Sequence, residues 1–211
     1  MQSILNSRGV SGLSLKTFKH FLILMKKSLF SLAFVALFSV AATTTVSAQK
    51  VKTVMVGGAA MYPTKNIVEN AVNSKDHTTL VTAVKAAGLV ETLSSAGPFT
   101  VFAPTNEAFA KLPAGTVETL VKPENKATLT KILTYHVVAG RMTSADLVKA
   151  IKAGKGKATL KTVSGGTLTA MMKGKGIELK DEKGGVSMVT IADVMQSNGV
   201  IHVVNTVLMP K

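Results

Sequence analysis

The sequence predicts an α+β domain, and two patterns lead to that fold class. Apolar residues recur every three or four positions through most of residues 67–151, which is the spacing of helices that bury one face. Residues 157–208 instead consist of short β-branched and apolar runs between glycine-containing turns, which is typical of antiparallel strands. A strand at residues 99–103 lies among the helices, so closing the domain requires pairing between segments that are distant in sequence.

Seven short helical segments are expected in the first half of this domain. Asp76 is a suitable N-cap for the helix that follows it, and Gly88 is placed to end that helix. Thr105 or Asn106 can cap a short helix after the early strand, and Ser144 can cap the last helix. The sixth helix carries an apolar face at positions i, i+3, i+4 and i+7, formed by Leu129, Ile132, Leu133 and His136.

The second half is expected to form five strands, at residues 157–163, 167–172, 177–180, 186–191 and 200–208. Turn compositions separate them, and Asn198-Gly199 precedes the last strand. The acidic pair Asp181-Glu182 lies between lysines, as at a solvated hairpin tip. Residues 49–61 show no clear period and contain Gly57-Gly58, so we expect a flexible lead-in before a domain at residues 62–211.

An export signal is expected at residues 25–48. Met25 and two lysines precede an uncharged apolar run, and Val46-Ser47-Ala48 has the small residues that a signal peptidase accepts, so cleavage is expected before Gln49. The weaker alternative is a retained membrane anchor, because the apolar run is shorter than the roughly 20 residues that span a bilayer. Residues 1–24 are interpreted as a misassigned start or, alternatively, as an extension of the basic n-region.

Composition limits the classes of partner. The chain has no cysteine, which excludes disulfides, thiolate metal sites and a lipid-modified cysteine. Residues 49–211 carry a net charge of +9, and Arg141 is their only arginine. Such a lysine-rich surface favours loose attraction to anionic polymers or membranes, or serves only as a solubilising coat. We expect a monomer and no nucleic-acid partner.

The sequence contains no catalytic or metal-binding constellation. His77, His136 and His202 are far apart in the chain, and none has a second histidine or a carboxylate at metal-ligand spacing. No Gly-x-Ser-x-Gly elbow occurs, which disfavours a serine hydrolase of that type. We therefore expect no catalytic residue, no metal, no cofactor and no enzymatic activity.

His136 has two possible roles. It follows Tyr135 at the end of an apolar helix face. The simpler interpretation is a core histidine whose ring nitrogens are satisfied by neighbouring groups, because buried polar groups usually have partners. The alternative is a role in binding.

Three segments resemble the signature of the fasciclin (FAS1) domain family. They are FTVFAPTNEAF at residues 99–109, ILTYHVV at 132–138 and DVMQSNGVIHVVNTVLMP at 193–210. The chain is similar to bacterial secreted proteins with a single such domain. The resemblance implies a wedge of two small β-sheets with several short helices packed around it. Most of the signature residues are then explained as core and capping positions, namely Phe102, Pro104, Thr105, Asn106, Phe109, Asn198, Gly199, His202 and Asn205.

The resemblance also implies an interaction surface. In animal matrix members a Tyr-His segment and an Asp-Ile pair are linked to integrin binding, and the matching positions are Tyr135, His136, Asp193 and Val194. We retain these positions as a candidate surface without that receptor. Asn205 stands where many members have Asp, so an ionic role at that position is in doubt.

Two functions remain open from the sequence. The first is an exported, non-catalytic domain for adhesion or surface interaction, located in the periplasm or outside the cell, whose partner is a protein or polysaccharide of the cell surface or matrix. The alternative is a binding module for a lipophilic pigment or lipid. Its groove would be lined by adaptable methionines, Met171, Met172, Met188 and Met195.

Overall fold

A computed structural model describes residues 52–211, so the predicted export signal and residues 1–24 lie outside the described residues. The described part contains seven α-helices and nine β-strands. The helices are α1 (Ile67–Ala71), α2 (Thr78–Ala87), α3 (Val90–Ser94), α4 (Asn106–Ala110), α5 (Thr116–Leu120), α6 (Lys126–Tyr135) and α7 (Ser144–Ala153). The strands are β1 (Val54–Val56), β2 (Ala59–Met61), β3 (Phe99–Pro104), β4 (Val137–Ala139), β5 (Lys157–Lys161), β6 (Thr167–Lys173), β7 (Gly176–Lys180), β8 (Val186–Gln196) and β9 (Gly199–Val204).

The predicted α+β class and all seven predicted helices are confirmed. Strands β1 and β2 form a small sheet, and the other seven form a larger one in the order β4-β3-β9-β8-β7-β6-β5. Only β3 and β9 pair in parallel, and the remaining neighbours are antiparallel. The large sheet is continuous over seven strands because β8, with 11 residues, pairs with β7 at its start and with β9 along the rest.

The large sheet curls until its two ends meet. Val138 of β4 forms an isolated antiparallel bridge with Thr162, just after β5. A first apolar core lies between the sheet and helices α1 to α6 and includes Val84, Ile132 and Ile201. A second core lies inside the curl, where α7 packs against β5 and β6. It includes Phe102, Tyr135, Leu147, Leu168 and Leu179.

The predicted flexible lead-in is wrong for residues 54–61, which form the β1–β2 hairpin. Val56 pairs with Ala59 and Met61 pairs with Val54. Val56 and Met61 are 2% and 3% exposed. Gly57 and Gly58 both have positive φ angles, which a tight two-residue hairpin turn requires. Three-residue strands are too short to show alternation, so the sequence did not reveal them.

Two predicted caps are displaced. Asp76 lies within a short 3₁₀ helix, Lys75–His77, and makes no capping bond to α2. Helix α7 is capped by Thr143, whose hydroxyl accepts from the Asp146 amide in a reciprocal capping box, so Ser144 is the first helical residue. Gly88 ends α2 in the left-handed conformation, as predicted.

The last strand ends at Val204, four residues before its predicted end. The next amide, that of Asn205, still donates to the Met188 carbonyl of β8 at 3.2 Å, and several amides further on bond to side chains. The amide of Thr206 donates to the Ser187 hydroxyl at 3.0 Å, and that of Met209 donates to the Asp181 carboxylate at 2.9 Å. None of the helices within residues 52–211 is long and apolar enough to cross a membrane.

Candidate functional site

Tyr135 is the last residue of α6 and is fully buried in the second core. Its hydroxyl donates to the Thr167 carbonyl at 2.7 Å and accepts from the Glu182 amide at 3.1 Å. Gly166 lies against its ring, where a Cβ would collide with it. Burial raises the pKa of the Tyr135 phenol to about 12, so the side chain is a neutral link between α6 and the strand hairpins.

His136 is 3% exposed and both of its ring nitrogens are used. Nδ1 donates to the Ile132 carbonyl at 2.9 Å, and Nε2 accepts from the Leu208 amide at 3.0 Å. This arrangement requires the neutral ring, because a protonated Nε2 cannot accept. Burial lowers the pKa of His136, opposed by the Ile132 carbonyl. His136 is therefore a buried residue whose two ring nitrogens both have partners, as the core interpretation expects.

Asp193 is a half-buried residue at an irregularity of β8 and has a φ of +59°, a conformation that Asp tolerates better than most residues. Its carboxylate accepts from the backbone amide of Ser144 at 2.6 Å and from the Ser144 hydroxyl. A carboxylate at the N-terminus of α7 is favourable, because unpaired amides point at it. Val194, next in sequence, is 1% exposed in the first core.

The four candidate interaction residues therefore do not form one exposed surface. Tyr135, His136 and Val194 are interior, and they belong to different parts of the core. Asp193 alone is partly accessible, and its carboxylate is occupied by Ser144. Any binding role for these residues stays a prediction, and the structure gives each of them a stabilising contact.

The first signature segment supplies core and corner residues. Phe102 is fully buried and stacks on His202 with ring centroids 5.7 Å apart. Pro104 is the last residue of β3, and Thr105 caps α4 by accepting from the Ala108 amide at 3.2 Å. Asn106 accepts from the Thr79 amide at 3.0 Å and donates to the Lys75 carbonyl at 2.8 Å, which ties α4 to α2. Phe109 is 8% exposed in the first core.

Asn198, in the last signature segment, bonds to two other segments of the chain. It is 5% exposed, and its Oδ1 accepts from the Ile67 amide at 3.0 Å. Its Nδ2 donates to the Leu93 and Ser95 carbonyls, both at 2.8 Å. One side chain thus holds the start of α1 and the end of α3 against the turn before β9. Gly199 is required beside it, because a Cβ there would collide with the Phe99 carbonyl.

Asn205 keeps hydrogen bonds that a carboxylate can also make. Its Oδ1 accepts from the Met188 amide at 2.9 Å and from the Thr206 hydroxyl at 3.3 Å. Lys111 donates to its backbone carbonyl at 2.6 Å. The side chain therefore fixes the end of β9 to β8 without an ionic contact.

Two buried polar sites were not found by sequence reasoning. The Asn70 side chain on α1 accepts from the Tyr62 amide, donates to the Tyr62 carbonyl and also donates to the Gln196 side chain. Asp181, expected at a solvated tip, is 7% exposed and accepts from the amides of Lys183, Gly185 and Met209 at 2.7–3.0 Å. An Asp followed by Gly four residues later is compatible with such a turn, but the contact to Met209 joins distant segments.

The residues around Asp193 do not form a nucleophilic relay. The Ser144 hydroxyl donates directly to the Asp193 carboxylate. In a Ser-His-Asp relay the serine hydroxyl would instead donate to a histidine. His202 accepts from the Asp193 amide at Nδ1 and donates to the Met142 carbonyl from Nε2, so neither ring nitrogen reaches the serine. Within residues 52–211 no group of three potential metal ligands is present either.

A small apolar cavity of about 50 Å³ lies between helices α1 to α3 and the central strands. Its walls include Leu80, Val84, Val101, Leu133, Val194 and Ile201. His77 also lines it and is 3% exposed, with Nδ1 bonded to the Ser74 hydroxyl at 2.9 Å. No described residue bonds to Nε2 of His77. Burial lowers the pKa of this ring, opposed by the Ala103 backbone and by Asp76.

Comparison with known proteins identifies the family of this fold. The family profile described as a fasciclin domain matches residues 75–210. Protein sll1483 of Synechocystis sp. is 49% identical over 161 residues, which cover 75% of this chain and 81% of that protein. Immunogenic protein MPB70 of Mycobacterium bovis is 37% identical over 145 residues, which cover 66% of each protein.

A solved structure agrees with these relatives. The FAS1 domain pair of the insect cell adhesion molecule fasciclin I is similar with a TM-score of 0.62, over 70% of this chain and 52% of that one. At 19% identity this likeness shows a common fold. The resemblance carried by three sequence segments is thereby confirmed, and the chain belongs to the fasciclin domain family.

Proposed function

We propose that this protein is an exported, non-catalytic domain that attaches to a protein or polysaccharide of the cell surface or matrix. The observation that carries the proposal is the fasciclin domain at residues 75–210, since the solved structure of this fold comes from a cell adhesion molecule. The absence of a relay or metal cluster among residues 52–211 is consistent with a binding role.

Export is the second part of the proposal, and the sequence supports it. Residues 25–48 have the basic start, apolar run and small-residue end of a signal peptide. The proposed mature chain begins at Gln49. We further propose that its domain starts before Tyr62, because the β1–β2 hairpin contributes Val56 and Met61 to the first core.

Fractionation tests the export step directly. Cells of the native host are separated into cytoplasm, periplasm, envelope and medium, and the N-terminus of the recovered protein is sequenced. We expect a chain that begins at or near Gln49 outside the cytoplasm. A full-length chain confined to the cytoplasm contradicts the proposal.

Attachment is tested with the natively processed protein. It is incubated with washed cells and isolated envelope, and the retained amount is measured before and after a wash at high salt. An unrelated basic protein of similar net charge is the control. We expect saturable retention above that control. Retention that matches the control and vanishes entirely with salt shows charge alone and contradicts the proposal.

A second candidate function, binding of a lipophilic small molecule, is favoured by the apolar cavity beside His77. Because a water molecule needs roughly 10–15 Å³ of such space, the cavity of about 50 Å³ admits the end of an acyl chain and not a whole pigment. The predicted methionine groove is not formed here, because Met171, Met172, Met188 and Met195 do not line this cavity. Met171 and Met188 flank Glu178 on a sheet face.

Solvent extraction separates the two functions. The natively processed protein is extracted with chloroform and methanol, and the extract is examined by absorbance and mass spectrometry. The adhesion proposal predicts no stoichiometric lipophile. The second candidate predicts one lipophilic molecule per chain of the unaltered protein. It also predicts a smaller amount in the extract of a Val84→Phe variant, whose larger side chain fills the cavity.

A further inference from the structure

Positive charge is concentrated in one part of the molecule. Residues 152–183, which include β5 to β7, contain eight lysines and three acidic residues. Residues 62–151, which include α1 to α7 almost entirely, contain nine basic and seven acidic residues. The helical part is therefore close to neutral, and the strand hairpins carry most of the excess charge.

The three acidic residues of the hairpins leave most of these lysines without an ionic partner in the part of the chain that the structure describes. Asp181 is buried and accepts three backbone amides. Glu182 accepts from the Thr167 amide at 2.9 Å, and that bond lowers the pKa of its carboxyl. Glu178 pairs with Lys173 at 2.6 Å, the single ion pair within the described residues. The other seven lysines between residues 152 and 183 have no ionic partner among residues 52–211.

Strand register brings four of these lysines to one face of the sheet, and one of them, Lys173, is the partner of Glu178 on that face. One row of residues across β5, β6 and β7 consists of Lys157, Met171 and Glu178. The next row on the same face consists of Thr159, Thr169 and Lys180. Lys161 continues the face along β5. We call Lys157, Lys161 and Lys180 the lysine face. Strand rise and spacing place their Cα atoms about 10–13 Å apart, and all three side chains are exposed.

The rest of this face consists of hydroxyl and thioether side chains that suit contact with sugars. The alternate residues, including Ala158, Leu168 and Leu179, point into the second core. Between the lysines lie the hydroxyls of Thr159, Thr167 and Thr169, with half-buried Met171 and Met188 beside them. Threonine hydroxyls can bond to sugar hydroxyls, and thioether side chains offer an adaptable apolar contact.

We propose that the lysine face binds an anionic polysaccharide whose carboxylate or sulfate groups pair with Lys157, Lys161 and Lys180. This inference rests on the proposed attachment function and names the partner class for it. Ammonium groups act as point charges and lack the fork by which arginine grips phosphates, which disfavours nucleic acid. A membrane is disfavoured because no Trp, Phe or Leu projects from this face to enter the lipid interface.

Two triple variants of equal charge test the proposal. The sheet variant replaces Lys157, Lys161 and Lys180 by Gln, which leaves the Lys173–Glu178 ion pair intact. The control variant replaces three exposed lysines of the helical part by Gln, namely Lys85, Lys122 and Lys126. Binding of the natively processed proteins to alginate, dextran sulfate, uncharged dextran and phosphatidylglycerol vesicles is measured by calorimetry at low and physiological salt.

The expected result is binding to alginate or dextran sulfate but not to dextran. The Kd of the sheet variant should rise about tenfold and that of the control variant less than about twofold, since each exposed charge contact contributes little. Equal losses in both variants, no binding by the unaltered protein, or binding only to phosphatidylglycerol vesicles each overturn the inference. If envelope retention persists in the sheet variant while polysaccharide binding is lost, the attachment function stands and this partner is wrong.

Discussion

The interior of this domain and its lysine face use polar residues in opposite ways. In the interior, Asn198, Tyr135 and His136 direct every bonding atom inward, and each joins segments far apart in sequence. On the lysine face, charged groups project outward without partners among the described residues. The family signature therefore describes how the domain is held together, and residues outside the signature carry the proposed contact. Substitutions should separate the two, with stability changing in one region and binding in the other.

Asn198→Ala should produce the largest loss of stability. It removes three hydrogen bonds and leaves the buried Ile67 amide and Leu93 carbonyl without partners. At about 1 kcal/mol per bond the free energy of unfolding should fall by about 3 kcal/mol, which corresponds to a Tm lower by roughly 10 °C. Urea unfolding followed by circular dichroism measures this change.

The matched control for Asn198 is Asn73→Ala. Asn73 is exposed and donates one bond to the Glu69 carbonyl at 2.7 Å, so its loss should cost less than about 0.5 kcal/mol. A similar effect at both positions would contradict the distinction between interior and surface. Alginate binding by folded Asn198→Ala protein should be unchanged.

Tyr135→Phe is expected to have the next largest effect. The ring and its packing against Gly166 stay, but the Thr167 carbonyl and the Glu182 amide lose their partner. The free energy of unfolding should fall by about 2 kcal/mol, because a buried donor or acceptor that loses its partner destabilises the folded state more than a pair that is removed together. Tyr62→Phe is the control, since Tyr62 is 43% exposed. Equal midpoints for Tyr135→Phe and the unaltered protein would show that the hydroxyl contributes nothing.

Acidification should lower the stability of the folded protein at a pH where the carboxylates are still ionised. Burial lowers the pKa of His77, His136 and His202 in the folded protein. The unfolded chain therefore binds more protons once the pH falls below about 6.5, and unfolding becomes easier by up to about 1.4 kcal/mol per pH unit for each ring. Urea midpoints between pH 7.5 and 5.5 should fall steadily with pH.

His136→Gln tests whether this slope comes from the buried rings. Glutamine keeps one donor for the Ile132 carbonyl and one acceptor for the Leu208 amide but does not titrate. For this variant, the slope of the urea midpoint against pH between pH 7.5 and 5.5 should be about one third smaller if the three rings contribute equally. An unchanged slope would assign the pH dependence to other groups.

Much of the fold could be predicted because local patterns determine it. Helix α6 follows from the spacing of Leu129, Ile132 and Leu133, all of which are buried, and β3 follows from a β-branched run. The β1–β2 hairpin was missed because its strands have three residues each. Its stability comes from packing of Val56 and Met61 in the core, which is a tertiary effect.

The candidate site was less predictable than the fold. The burial of Tyr135 and Val194 depends on which strands curl around them, and sequence spacing carries no information on that. Asp181 was expected in solvent, yet it bonds to Met209 from the far end of the chain. The lysines that flank the Asp181-Glu182 pair, Lys180 and Lys183, are exposed as expected. The composition revealed the excess of lysine, and only the strand register showed that four lysines share one face.

Asn205→Asp should have the smallest effect and is expected to be favourable. The Oδ1 position already accepts from the Met188 amide and the Thr206 hydroxyl, and a charged acceptor strengthens such bonds. Lys111, bonded to the backbone carbonyl of the same residue, adds a nearby positive charge. We expect a gain of about 0.5–1 kcal/mol at pH 7.

This gain should depend on pH in a defined direction. The new carboxyl is stabilised in its charged form, so its pKa in the folded protein should lie below the ordinary value of about 3.9. The gain is then present above that value and is lost as the pH falls through the folded pKa. Asn205→Ala serves as the control and should lower stability at every pH. If Asn205→Asp is less stable than the unaltered protein at pH 7, the amide has a bonding role that a carboxylate cannot replace, and the position belongs with Asn198 in the neutral interior.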